Sequence, residues 1–345
     1  MDAGSTPASA PSTKSAALAE LQRHGGCLTA AAKAFPRAQT PWIDLSTGVN
    51  PVPYPLRGKM DFARLPDPTD VAALEAAAAK SFGTAAENVI AVAGSDAALH
   101  ALPRLLDART VGIVSPTYGG HAEAWRTAGR AVTTVQCATL DVTEHDAVVI
   151  VNPNNPDGSV LPAADLRHLA AQLTRRGAWL IIDEAFAEVT PEISVAAEPQ
   201  GRLIVLRSFG KFYGLPGVRL GFIVAHASIA RTLRPAFGDW PLNAAAIAAG
   251  LGAYADTAWQ ERTRRRLASA AKRLDRLLRA TGFDIVGGSS LFRLARHQQA
   301  DACFHHLAQA GILTRRFGHD PCILRFGLPA PSQWKRLTAA LESWS

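Results

Sequence analysis

The sequence has few of the residues that mark a secreted or metal-binding protein. Its 345 residues include four cysteines, which form no paired motif, so we expect free thiols in a reducing cytoplasm. Cys303 lies near His305 and His306 without a second ligand cluster, so we expect no metal site. The four cysteines are Cys27, Cys137, Cys303 and Cys322.

Long apolar runs are also missing. No stretch is long and apolar enough to span a bilayer, so we expect no membrane association. Residues 1–16 are rich in Ala, Ser, Pro and Thr but contain no apolar core, so they predict a disordered tail and not a signal peptide.

Acidic residues are the minority charge. The chain has 36 Lys and Arg against 29 Asp and Glu, a net charge of +7, which would suit a nucleic-acid partner. The basic residues are scattered, however, except in residues 262–266, where the helical surroundings favour a solvated face. We therefore expect no nucleic-acid partner, and the balance is compatible with an anionic substrate and cofactor.

The chain is long enough, and at 48% hydrophobic residues apolar enough, for two domains. Strand patterns alternate with helical patterns through residues 46–235, which predicts an α/β domain with a mostly parallel sheet covered on both faces. Residues 236–345 begin with Ala- and Arg-rich helical patterns and end in short strands. Together with residues 17–45, they predict a smaller α+β domain.

One lysine has a distinctive setting. Lys211 follows an apolar strand pattern, with Ser208 three residues before it and Arg219 eight residues after it. Open α/β sheets bind ligands at strand ends. A cofactor that carries an aldehyde and a phosphate needs a primary amine with phosphate donors close to it. Lys211 is therefore a candidate Schiff-base lysine for pyridoxal phosphate.

Two upstream segments supply matching groups. Asp183 ends an apolar strand pattern, and a carboxylate is the group that keeps the ring nitrogen of pyridoxal phosphate protonated. Asn155 lies in a Pro- and Gly-rich turn after another apolar strand, where its amide is suited to donate to the phenolic oxygen of the ring. Each alone is a common strand end or turn, but the ordered set of three indicates a cofactor site.

The chain resembles the fold type I pyridoxal-phosphate enzymes of the class I/II aminotransferase superfamily from about His24 to its C-terminus. Within that superfamily, it is similar to the threonine-phosphate decarboxylases of cobalamin biosynthesis, which are relatives of histidinol-phosphate aminotransferase. The segments that carry the resemblance are residues 24–26, 44–51, 116–118, 121–125, 152–158, 183–186 and 206–221.

The resemblance implies further cofactor contacts. Ser95 and Asp96 open a helix after a strand, so their backbone N–H groups are candidates for the cofactor phosphate, with an ordinary helix cap as the alternative. Ser208 and Arg219 look like the remaining phosphate ligands. Tyr118 resembles the aromatic residue that stacks on the pyridine ring beside Lys211, and we count it with Lys211 and Asp183 as catalytic.

Substrate contacts are implied in the same way. Arg325 matches the arginine that pairs with the α-carboxylate of an amino acid, and Asn50 resembles a residue that holds the substrate beside the cofactor, as Asn155 also would. His24 is a candidate for the phosphate end of a phosphorylated substrate, and a loop histidine without a ligand is the alternative.

Three positions depart from the family pattern. Phe186 stands where many relatives have a tyrosine that touches the phenolic oxygen, and Gly210 stands where many have a serine or threonine that contacts the phosphate. Leu65 stands where relatives often carry a tyrosine that reaches the neighbouring subunit's cofactor. These departures leave the lysine and the ring-nitrogen carboxylate in place.

The resemblance implies a cytoplasmic homodimer that decarboxylates L-threonine O-3-phosphate to (R)-1-aminopropan-2-yl phosphate. The residues alone leave open which bond at Cα breaks, because the bond perpendicular to the ring is the one that is lost. Transamination of the histidinol-phosphate type is therefore the alternative, and a non-enzymatic protein of the same fold is a further one.

Overall fold

The computed structural model describes residues 13–57, 60–136 and 144–344. The predicted tail lies outside the described residues up to residue 12, as does Cys137, and residues 13–16 belong to the first helix. Within the described ranges, no helix has the length and apolar character that a membrane span requires.

The helices follow the chain in this order: α1 (Thr13–Arg23), α2 (Leu28–Ala34), α3 (Pro68–Phe82), α4 (Ser95–Leu105), α5 (Gly119–Thr127), α6 (Ala163–Arg175), α7 (Phe209–Phe212), α8 (Ala227–Leu233), α9 (Ala244–Ala255), α10 (Thr257–Ala280), α11 (Ala300–Gln309) and α12 (Trp334–Glu342). The strands are β1 (Ile43–Asp44), β2 (Val89–Val92), β3 (Thr110–Val114), β4 (Ala131–Val135), β5 (Ala147–Val151), β6 (Trp179–Asp183), β7 (Leu203–Ser208), β8 (Gly221–Ala225), β9 (Asp284–Ser289), β10 (Phe292–Arg296), β11 (Ile312–Leu313), β12 (Arg315–Phe317) and β13 (Asp320–Gly327).

The larger of two compact units, Val49–Ala271 with Gly287–Leu291, contains a seven-stranded sheet in the order β2-β8-β7-β6-β5-β3-β4. Strand β8 pairs antiparallel with β2 and β7, and the remaining pairs are parallel. Every residue of β2, β5, β6 and β8 is buried, as expected for strands covered on both faces. The predicted mostly parallel α/β sheet is confirmed.

Helices α4 and α5 cover part of this sheet with apolar side chains. Leu99, Leu102 and Trp125 are buried in one cluster with Ile113 and Val149 of the strands. Burying each large apolar side chain contributes roughly 1.5–3 kcal/mol. This packing holds the first turns of both helices beside the strand ends, where the candidate site residues lie.

Within the described residues, the smaller unit comprises residues 13–48, Lys272–Val286 and residues 292–344. It contains a two-stranded parallel sheet, β1-β11, and a four-stranded sheet in the order β12-β13-β10-β9. Strand β13 pairs antiparallel with β10 and β12. A C-terminal α+β unit of this kind is what the strand and helix patterns predicted.

The boundary between the units differs from the expected one. We expected the smaller domain to begin at about residue 236, but α9 and the part of α10 up to Ala271 belong to the larger unit. Helix α9 packs closely on α3, because a Cβ atom on Gly250 would lie 2.4 Å from Leu74 Cδ1. The expected boundary followed the change in the sequence from alternating strand and helix patterns to helical patterns alone. Composition does not reveal that α9 packs on α3.

A buried ion network joins the ends of β6 and β7. Arg207, 3% exposed, donates to Glu184 Oε2 at 2.6 Å and to Glu188 Oε1 at 2.7 Å. Burial alone would lower the pKa of Arg207, but the attraction of Glu188 and Glu184 raises it above its ordinary value. Ser194 also donates to Glu184, so this network fixes the loop that follows β6.

We predict that Arg207→Met lowers the free energy of unfolding by about 3–5 kcal/mol, because it leaves two buried carboxylates without their cation. Arg202→Met is the control, since Arg202 pairs with the exposed Asp107 and should cost about 1 kcal/mol or less. Urea titration at one protein concentration measures both. Equal losses for the two variants would contradict the argument.

Candidate active site

Three strand ends lie side by side at one edge of the larger sheet. Val151 of β5 is the register partner of Asp183 of β6, and Asp183 is in turn the partner of Leu206 of β7. The turn that carries Asn155 follows β5, and Lys211 follows β7. The parallel register therefore places the three predicted groups at the same edge, although they are far apart in sequence.

Asp183 is held by a histidine that the sequence argument did not assign. Its side chain is buried, and Asp183 Oδ2 lies 3.0 Å from Nε2 of the buried His121. Asp183 Oδ1 accepts a hydrogen bond from the backbone N–H of Ala185 at 3.0 Å. An ionised carboxylate only accepts, so Nε2 of His121 is the donor in this pair when Asp183 is charged. The pair fixes the direction of the carboxylate.

Lys211 lies on the short helix α7 directly after β7. Its Nζ atom lies 5.9 Å from the centroid of the Phe186 ring. Behind it, the buried Tyr213 ring stacks on Phe209 at 4.4 Å and on Trp259 at 5.7 Å between centroids. This aromatic stack anchors the helix, so that the lysine is presented from a rigid element.

Asn50 anchors the same helix. Its backbone N–H donates to Lys211 O at 2.9 Å, and its Nδ2 donates to Phe212 O at 2.8 Å. Its Oδ1 accepts from the backbone N–H of Val52 at 3.0 Å, and the residue is 2% exposed. The structure therefore uses Asn50 to hold α7, a role that sequence reasoning did not give it. The substrate contact assigned to Asn50 stays a prediction.

The first turn of α4 forms a cradle with Arg219, which is the candidate anion site. Gly94 precedes this helix with φ +90°, and a Cβ atom there would lie 2.8 Å from Arg219 Nη2. A Cβ atom on Gly221 would lie 2.2 Å from the backbone nitrogen of Ser95. Glycine at both positions thus lets the guanidinium and the free N–H groups of a helix N-terminus meet. Arg219 itself has φ 57°, in the left-handed region.

The other predicted phosphate contacts lie around this cradle. Ser208 ends β7 and is the register partner of Gly221. This pairing places Ser208, which carries a hydroxyl group, next to the cradle. The carboxylate of Asp96 is 53% exposed and lies 3.9 Å from His100 Nε2. Because a carboxylate repels a phosphate, Asp96 would contact an anion through its backbone N–H and not through its side chain.

The Gly210 departure has a structural cause. A Cβ atom on Gly210 would lie 2.7 Å from the Cα atom of Pro216. A serine or threonine at this position would need the 216 backbone to move. The chain therefore closes this turn tightly at the cost of one hydroxyl near the cradle.

Tyr118 immediately precedes α5, and its ring fits over a glycine. A Cβ atom on Gly120 would lie 2.4 Å from Tyr118 Cε1. The Tyr118 ring meets the His121 ring edge to face, with centroids 6.1 Å apart. One helical turn thus carries the predicted stacking residue and the histidine that holds Asp183.

The smaller unit contains two neighbouring arginines. Arg325 of β13 and Arg315 of β12 are register partners on adjacent antiparallel strands, so their side chains share a face. Arg325 is buried and donates to Ser46 O at 2.8 Å. Burial and the charge of Arg315 lower the pKa of Arg325 to about 9, although Asp44 acts in the opposite direction. A bound anion would relieve this positive cluster.

Two other positions that the sequence analysis singled out, the candidate His24 and the departure Leu65, are exposed. His24 follows α1 in the smaller unit, and the carbonyl of the preceding residue, Arg23, accepts from Arg315 Nη2 at 2.9 Å. Arg315 thus ties the His24 turn to the strand beside Arg325, a link that the sequence argument lacked. Leu65 is 67% exposed in the larger unit.

Comparison with known proteins agrees with this arrangement. The chain matches the family Aminotransferase class I and II over residues 17–343. It is 43% identical over 327 residues to a threonine-phosphate decarboxylase of Pseudomonas aeruginosa, covering 93% of this chain and 97% of that protein. It is 31% identical over 293 residues to histidinol-phosphate aminotransferase 1 of Burkholderia pseudomallei, covering 81% and 80%.

A solved structure shows the same fold. Histidinol-phosphate aminotransferase of Sinorhizobium meliloti, in complex with pyridoxal-5'-phosphate, superposes with a TM-score of 0.70 at 21% identity, covering 83% of this chain and 85% of that one. The family match spans nearly the whole chain, from residue 17 to residue 343. The chain belongs to the aminotransferase class I and II family.

Proposed function

We propose that this protein is a pyridoxal-phosphate-dependent decarboxylase that converts L-threonine O-3-phosphate to (R)-1-aminopropan-2-yl phosphate and carbon dioxide. The observation that carries the substrate and reaction is the 43% identity to a threonine-phosphate decarboxylase along 93% of the chain. The more distant histidinol-phosphate aminotransferase match, at 31%, makes transamination the alternative.

The larger unit fits the cofactor. The cradle at Gly94 and Gly221, which any added Cβ atom would fill, brings Arg219 to the N-terminus of α4, as a phosphate group requires. Backbone N–H groups of Ser95 and Asp96, the Ser208 hydroxyl and Arg219 would hold the phosphate. Lys211 would hold the aldehyde carbon covalently. These groups come from three segments, residues 95–96, 208–211 and 219, that the sheet brings to one edge.

When bound, pyridoxal phosphate withdraws electrons from the substrate Cα and stabilises the charge left by a broken bond. Asp183 would keep a proton on the ring nitrogen, and the His121 contact at 3.0 Å fixes the direction of the carboxylate. Asn155 would donate to the phenolic oxygen. Tyr118 would cover the ring face and exclude water from it.

The proposed substrate is an amino acid with two anionic groups, and the residues assigned to them are Arg325 and His24. Arg325 would pair with the α-carboxylate in the planar two-point geometry that a guanidinium allows. His24, tied through Arg23 to Arg315, is the candidate for the phosphate end. Arg325 is buried beside Arg315, its register partner, so two guanidinium groups on one face support an anionic ligand.

The family resemblance supports a homodimer that works in the cytoplasm and supplies cobalamin biosynthesis. These statements about assembly, location and pathway stay predictions.

We expect the purified protein to release carbon dioxide from L-threonine O-3-phosphate equally well with and without 2-oxoglutarate. Lys211→Ala should abolish the release and the borohydride-fixed cofactor, because the covalent anchor is gone. Lys80→Ala, on the solvent side of α3, is the control. Turnover that depends on 2-oxoglutarate would instead establish the aminotransferase.

Asp183→Asn should retain pyridoxal phosphate but reduce turnover by about two orders of magnitude or more, since an amide cannot keep the ring nitrogen charged. Absorbance of the bound cofactor measures retention, and carbon dioxide release measures turnover. Near-normal turnover would show that another group protonates the ring.

Arg325→Lys should raise KM for threonine phosphate roughly thirtyfold, equivalent to about 2 kcal/mol, because lysine keeps the charge but loses the two-point contact. The dissociation constant of pyridoxal phosphate should stay unchanged. Arg296→Lys is the matched control, since Arg296 lies on the adjacent strand β10 and pairs with Asp320 at the surface. An unchanged KM in the Arg325 variant would place the anion contact elsewhere.

A further inference from the structure

A single amide side chain connects two loops of the candidate site. The loop after β3 carries Tyr118, and the turn after β5 carries Asn155. Asn154 Oδ1 accepts from the hydroxyl of Thr117 at 2.6 Å. Asn154 Nδ2 donates to Pro116 O at 2.9 Å. Each loop is therefore bonded to the other immediately beside its predicted cofactor-contacting residue.

The amide can adopt only one orientation. Besides Pro116 O, Asn154 Nδ2 donates to Asp157 Oδ1 at 2.8 Å, so both of its N–H groups face acceptors. Turning the amide over would bring its oxygen against that carbonyl and carboxylate. Asp157 is fixed in turn by the N–H and hydroxyl of Ser159, at 3.1 and 3.0 Å. We call Thr117, Asn154 and Asp157 the Asn154 latch.

The Tyr118 ring is restrained at its other side by close packing. Gly120 leaves the space that the ring occupies, and His121 meets the ring edge to face. The backbone N–H of His121 donates to Tyr118 O at 3.3 Å. With helix α5 on one side and the latch on the other, the ring has little freedom to tilt.

We propose that the Asn154 latch is a positioning device that sets the plane of the Tyr118 ring relative to the Asn155 amide. This inference rests on the proposed function, in which Tyr118 covers the cofactor ring and Asn155 binds its phenolic oxygen. The Tyr118 ring would have to lie parallel to the cofactor ring, and the Asn155 amide would have to lie in the plane of that same ring. The latch is the direct hydrogen-bonded link between the loops that carry these two residues. Thr117, Asn154 and Asp157 touch neither substrate nor cofactor in this assignment.

Thr117→Val tests the latch, because it removes one hydroxyl and preserves the shape of the side chain. Thr117→Ser retains the hydroxyl and is the matched control. In the protein without cofactor, we expect backbone amides 118–121 to exchange with deuterium about fivefold faster in the valine variant, as for one lost hydrogen bond. The serine variant should exchange at the wild-type rate.

With cofactor, Thr117→Val should weaken the induced circular dichroism of the bound cofactor and raise its dissociation constant about fivefold. A second pair displaces the ring without touching the latch. Gly120→Ala forces a Cβ atom to within 2.4 Å of the Tyr118 ring, whereas a Cβ atom on Gly119 meets no described atom within 4 Å beyond its chain neighbours and its own helix backbone. Gly120→Ala should therefore reproduce the valine signature, and Gly119→Ala should not.

The outcomes separate the two proposals. Wild-type exchange in Thr117→Val would overturn the latch. Faster exchange with an unchanged cofactor signal would also overturn it, because the bond would then be structural only. A wild-type protein that binds no pyridoxal phosphate would overturn the proposed function and with it the positioning role. The latch stands only if both signals move in the valine variant and recover in the serine variant.

Discussion

The candidate site depends on the parallel register of three strands. Val151, Asp183 and Leu206 lie in one row across β5, β6 and β7, so the chain leaves the sheet at the same edge three times. Each exit carries one polar group of a type that pyridoxal phosphate requires. A slip of one residue in β6 would turn Asp183 to the other face of the sheet, because side chains alternate along a strand.

That alternation is used on both faces. Asp183 turns to His121, while the next residue, Glu184, turns to the buried Arg207. The backbone N–H of Glu184 also donates to Leu206 O at 2.9 Å, so β6 and β7 are bonded directly beyond the last ladder pair. The ion network therefore fixes the distance between β6, which ends in Asp183, and β7, which leads to Lys211.

The sequence predicted the strands of the larger unit well, because residues 89–93, 148–151 and 178–182 are continuous apolar runs. It also predicted which strand-end groups share an edge. It could not predict His121 as the partner of Asp183, since the two residues meet only through the packing of α5. It placed the domain boundary near 236 because composition does not record the α3–α9 contact. It could not predict that Asn50 holds α7, because the bonds from Asn50 to Lys211 and Phe212 are also long-range.

Two departures from the family pattern, Gly210 and Phe186, each remove a hydroxyl group from the candidate site. Gly210 has no room for a hydroxyl against Pro216, and Phe186 is 4% exposed with its ring 5.9 Å from Lys211 Nζ, so both positions are apolar or backbone contacts here. Under the proposed function, the phenolic oxygen then relies on Asn155 as its donor, and the ring plane relies on Tyr118. Because fewer residues would bond directly to the cofactor, the positions of the Asn155 and Tyr118 side chains matter more. The Asn154 amide joins their loops through hydrogen bonds of 2.6 and 2.9 Å, and under the proposal these bonds fix both positions.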